Sequence, residues 1–88
     1  PANNSWQVLV YPNPTTSFIS FQFNLPNEDD IKLNIFDLQG KLILEKNLGK
    51  INAGEFLETI NLMNVPSGTY VCKITGDQYS LTKKIIKQ

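Results

Sequence analysis

Apolar residues recur at every second position in short runs along this chain, and each run ends in turn-forming residues. Spaced at roughly 8 to 12 residues, such runs predict a two-layered all-β domain. Trp6-Gln7-Val8-Leu9-Val10-Tyr11 reads as a strand that stops at Pro12-Asn13-Pro14, where proline fixes φ and removes ladder donors. Phe18 to Asn24 alternates, with Ile19, Phe21 and Phe23 set for one face. A polar turn over residues 25–30 leads to a second alternating run that buries Ile31, Leu33 and Ile35. Asp37-Leu38-Gln39-Gly40 is the next tight connection, with glycine available for positive φ.

Lys41 to Leu48 carries Leu42, Leu44 and Leu48 in one phase. A helix is the competing reading there, but Ile43 and the flanking Gly40 and Gly49 favour a strand. Ala53-Gly54 opens a strand around Phe56, Leu57, Ile60 and Leu62. In it, Glu58 falls in phase with Phe56 and Ile60, which calls for a bulge or a partly exposed strand. Val65-Pro66-Ser67-Gly68 turns into a strand from Thr69 to Thr75, with Tyr70, Cys72 and Ile74 inward. Gly76-Asp77 predicts a two-residue hairpin before the last strand, Gln78 to Lys87, whose buried side the pattern leaves open. The expectation is about seven antiparallel strands in a two-sheet sandwich. Residues 1–5 form a polar leader and residues 6–88 the domain. The start at Pro1 suggests a piece of a longer polypeptide, and the run of lysines ending at Gln88 suggests a natural terminus.

With 88 residues and 41% hydrophobic content, one core is affordable and disorder is not expected. Eight lysines balance eight acids, so no net field steers the chain toward nucleic acid. Arginine and histidine are absent, which removes the bidentate phosphate fork and the commonest general base and metal ligand. Ser67 and Cys72 therefore have no histidine to activate them, and no catalytic residue or cofactor site is expected. The single Cys72 rules out an internal disulfide and reads as a small core residue. Glu28-Asp29-Asp30 is open to calcium, although a solvated turn explains it better than a loop without spaced oxygen ligands. Asn3-Asn4-Ser5 matches the N-glycosylation triplet. Trp6, Phe18, Phe36 and Tyr79 suit either a sugar-stacking platform or the core and sheet edges, the second being preferred. Lys83, Lys84 and Lys87 suit a docking patch or edge protection.

Four motifs occur in order over most of the chain: Tyr11-Pro12-Asn13-Pro14, Phe36-Asp37-Leu38-Gln39-Gly40-Lys41, Val65-Pro66-Ser67-Gly68-Thr69-Tyr70-Val71 and Lys83-Lys84-Ile85-Ile86-Lys87-Gln88. Together they resemble the type A C-terminal sorting domain of type IX secretion cargo. The resemblance implies an immunoglobulin-like β-sandwich that does no chemistry and takes no small-molecule substrate. It implies a cargo domain covalently preceding it, and passage from the periplasm to the cell surface or beyond. Recognition by the outer-membrane translocon and its shuttle proteins is implied, followed by removal by a sortase-like surface protease. The family's motif positions fall on Pro12, Asn13, Pro14, Asp37, Gly40, Gly68 and Tyr70, and on Lys83, Lys84 and Lys87 of the last strand. Cleavage is expected near Pro1 to Gln7, and strand addition onto Gln78 to Lys87 is the expected mode of reading. A carbohydrate-binding or adhesive sandwich and an inert spacer are the alternatives.

Overall fold

The computed structural model describes residues 6–77 and 79–88, so the leader, its glycosylation triplet and most of the expected cleavage region lie outside the described residues. Seven strands are described: β1 (Gln7–Tyr11), β2 (Phe18–Leu25), β3 (Asp29–Asp37), β4 (Leu42–Ile51), β5 (Gly54–Asn61), β6 (Gly68–Thr75) and β7 (Ser80–Lys87). They pair antiparallel in two sheets, β1-β2-β5 and β4-β3-β6-β7. This is the expected immunoglobulin-like sandwich, and the Lys41 to Leu48 region is strand.

Alternation is what makes the two sheets adhere. Ile19, Phe21 and Phe23 of β2 face Ile31, Leu33 and Ile35 of β3, all within 1% of full burial. Tyr70, Cys72 and Ile74 of β6 and Ile85 of β7 complete that layer. Removing each large side chain from water favours folding by about 1.5–3 kcal/mol. Trp6 closes one end, 6% exposed, with its ring edge-on to Tyr79 at 5.1 Å.

Two sequence expectations shift in three dimensions, and two points that the pattern left open are resolved. The β3–β4 register slips between Ile31 and Lys32 and again between Ile35 and Phe36. Each slip adds one residue to β4 and inverts its parity. Leu42, opposite the outward Phe36, is therefore 46% exposed, whereas Leu44 and Leu48 pack half-buried on the core. In β5 there is no register shift; Glu58 is inward on an edge strand, and its carboxylate pairs with Lys46 of β4 across the sandwich. Leu57 takes the opposite face, 55% exposed.

The β6–β7 connection is longer than a two-residue hairpin. Thr75 pairs with Ser80, so residues 76–79 intervene. The Gly76 N–H donates to the Tyr79 carbonyl, and the Asp77 N–H to Asp29 Oδ1 at 2.8 Å. A Cβ on Gly76 would run into the Trp6 ring and the Asp29 carboxylate, so only glycine lets this loop close. In β7, Ile85 and Lys87 are buried while Lys84 is exposed and Ile86 half-buried, which settles the side that strand buries.

A surface where the four motifs converge

Pro12, Asn13 and Pro14 leave β1 and cross from the three-stranded sheet to the edge of β7. Both X–Pro bonds are cis. The Asn13 amide then acts as a short strand of its own. Its Nδ2 donates to the Lys84 carbonyl at 2.7 Å, and its Oδ1 accepts from the Ile86 N–H at 2.9 Å. Thr15 continues in true backbone pairing: its N–H donates to the Ile86 carbonyl at 2.9 Å, and its carbonyl accepts from the Gln88 N–H at 2.8 Å. Thr15 is 2% exposed, and its Oγ1 donates to the Phe18 carbonyl. Nothing about Thr15 in the sequence announced this, because its partners lie at the far end of the chain.

At the β3–β4 turn, Asp37 organises its own loop. Its Oδ1 accepts from the N–H groups of Gln39 and Lys41, both at 2.9 Å, while its carbonyl accepts from the Gly40 N–H. Gly40 sits at φ 88°, the left-handed position that closes a three-residue hairpin. Gly68 begins β6, and two residues later the Tyr70 hydroxyl donates to the Pro66 carbonyl at 2.6 Å. This is the tyrosine corner of immunoglobulin-like sandwiches.

The terminal lysines part company. Lys87 is 8% exposed, and its ammonium donates to the Val65 carbonyl at 3.0 Å. Lys83 shares that inward phase but stays half-buried at the rim, beside Trp6 and Val8. Lys84 is exposed on the outer face. The three lysines therefore do not form one patch, since β7 alternates and its inner phase ends in the core. The phase shared by Ile85 and Lys87 was readable, but a charged residue at its end masked it.

Register brings the motifs together. Asp37 pairs with Tyr70, Gly68 pairs with Lys87, and Asn13 bonds β7 between them and the edge. Motifs separated by tens of residues thus meet at one end of the four-stranded sheet. The outward β7 groups from Lys84 to Gln88 are already engaged by Asn13 and Thr15. Strand addition over that stretch of the expected Gln78 to Lys87 would have to displace Asn13 and Thr15.

Other candidates carry less. Trp6 and Tyr79 pack on each other at one end, Phe18 lies on the outer face of β2, and Phe36 lies on the outer face of β3. They do not make a platform. Asp29 Oδ1 is committed to the N–H groups of Asp30 and Asp77, both at 2.8 Å. Among the described residues, no group of three His, Cys, Asp or Glu side chains is placed to hold a metal ion. Burial pushes the Cys72 thiol up to about 12, so the group stays protonated in the fold.

A search of curated proteins finds no match to the chain. The family model for the secretion system C-terminal sorting domain matches residues 9–88, a span that contains all four motifs. Such domains serve as sorting signals for type IX secretion, in contact with the secretion machinery and a preceding cargo, for export to the cell surface or extracellular space, and are generally non-catalytic. By that match, which takes in nearly the whole sandwich, the chain belongs to the type IX secretion C-terminal sorting domain family.

Proposed function

We propose that this domain is read in the periplasm by the outer-membrane translocon and its shuttle proteins, and that it carries an attached cargo across the outer membrane. A sortase-like surface protease then cuts it away within the leader, near Pro1 to Gln7, leaving the cargo at the cell surface or in the medium. The single observation behind this reading is the gathering of four distant motifs at one end of the four-stranded sheet. Turn formers alone have no need to be neighbours. A recognised address has to present a fixed surface whatever cargo precedes it, and a self-folding sandwich supplies one. Lys83 and Lys84 remain available to the machinery, whereas the Lys87 ammonium is committed to Val65. Pro12, Asn13, Pro14, Asp37, Gly40, Gly68 and Tyr70 act by holding that end in shape.

The test fuses residues 1–88 behind a fluorescent protein with an inner-membrane signal, in a type IX host and in the same host lacking the outer-membrane translocon. Truncation before β7 would be uninformative, because it removes the fully buried Ile85. Export in the first host with periplasmic retention in the second is the expected result. The released fluorescent protein should have lost the domain. Equal localisation in both hosts overturns the proposal.

A further inference from the structure

The outer face of the four-stranded sheet has an unusual corner at the motif end. Leu42, Phe36, Val71 and Lys84 stand in one row across β4, β3, β6 and β7, with Ile86 one row on. Leu42 is 46% exposed, and Phe36, Val71 and Ile86 are half-buried although they point away from the core. Lys73 sits one row to the other side, diagonal to Lys84.

The lysines of this face differ in how they are balanced. Lys32 pairs with Glu45 at 3.6 Å, and Lys50 stands directly opposite Asp30. Lys73 stands opposite Asn34 and Thr82, and Lys84 opposite Val71. Among the described residues, neither has a carboxylate within ion-pair distance. Two uncompensated ammonium groups thus border an apolar row on the outer face of the sheet.

Resting on the proposed sorting role, we infer that this corner docks a protein segment of the export machinery that presents carboxylates beside apolar side chains. The carboxylates meet Lys73 and Lys84, and the apolar side chains cover Phe36, Leu42, Val71 and Ile86. An anionic lipid surface fits less well. It is recognised by clusters of roughly 4 to 8 basic residues, and this face also carries Asp30 and Glu45. Complementary charge at the margin of an apolar contact sets partner choice and encounter rate, which suits a signal that is bound and then released.

The fluorescent fusion reads this out. Lys73→Gln with Lys84→Gln removes two charges and should lower export roughly tenfold, the loss of two partly exposed ion pairs. Lys73→Arg with Lys84→Arg keeps the charge and should export like wild type. Gln22→Glu with Thr59→Glu makes the same net change on the outer face of the other sheet, and should also export like wild type. Each variant is first shown to unfold within a few degrees of wild type. A photo-crosslinker at Thr82 should trap a protein segment rich in Asp or Glu, and should lose it in the glutamine variant. Wild-type export by the glutamine pair, an equal defect in the control pair, or crosslinking to lipid or to a basic segment overturns the inference. Failure of the wild-type fusion to leave the cell defeats the sorting role itself, so the two failures are distinguishable.

Discussion

Asn13 is the residue whose replacement best separates a turn former from a fastener. If it only shapes the Pro12–Pro14 turn, alanine should be tolerated. If its amide holds β7, Asn13→Ala loses two hydrogen bonds, of 2.7 Å to the Lys84 carbonyl and 2.9 Å from the Ile86 N–H. Both are exposed, so the freed groups regain water and the loss stays near the low end of the range. Two such bonds amount to about 1–2 kcal/mol. For a domain of this size, that lowers Tm by about 5–15 °C. Asn13→Asp is the sharper probe. Its carboxylate still accepts from Ile86 but sets an oxygen against the Lys84 carbonyl, so at neutral pH it should be no more stable than Asn13→Ala. Protonation restores a donor, and the folded state then binds a proton more tightly than the unfolded chain. The recovered stability is present below the ordinary carboxylate value of about 3.9 and is lost as pH rises through the elevated folded value. Denaturant unfolding between pH 3 and 7 measures this, with amide exchange at Ile86 as the local reporter. Stability within about 0.3 kcal/mol of wild type, with Ile86 exchange unchanged in Asn13→Ala, would refute the fastening role.

Two further outcomes follow from the same geometry. Lys87→Met keeps an apolar stem but strands the Val65 carbonyl, and should cost about 1–3 kcal/mol in urea unfolding. Lys84→Met on the exposed face should stay within about 0.5 kcal/mol, and equal effects would contradict the inward assignment of Lys87. Cys72 is fully buried with its thiol raised to about 12, so the native protein should resist alkylation at pH 8 and react once unfolded. Above the ordinary thiol value the unfolded chain ionises and the fold does not, so stability should fall by up to about 1.4 kcal/mol per pH unit. Cys72→Ala should remove that part of the slope, and parallel pH curves for the two proteins would count against it.

Local chemistry made most of the fold legible. Alternation identified the inward faces of β2, β3 and β6, because a side-chain period of two leaves no choice of face once one side is apolar. Pro12, Gly40 and Gly68 marked strand boundaries through constraints that act within a residue or two. The order of the four motifs pointed to the family that the match over residues 9–88 then established.

Tertiary structure decided what depends on pairing between distant residues. Bulges in β3–β4 turned Leu42 outward, and no local pattern encodes a slip against a partner strand. Asn13 and Thr15 occupy the outer edge of β7 more than seventy positions away, so a segment read as a turn became the cover of the last strand. Lys87 was read as surface because it is charged. Only packing supplied the Val65 carbonyl that lets an ammonium end in the interior, since a buried charge is tolerated where a fixed acceptor replaces water.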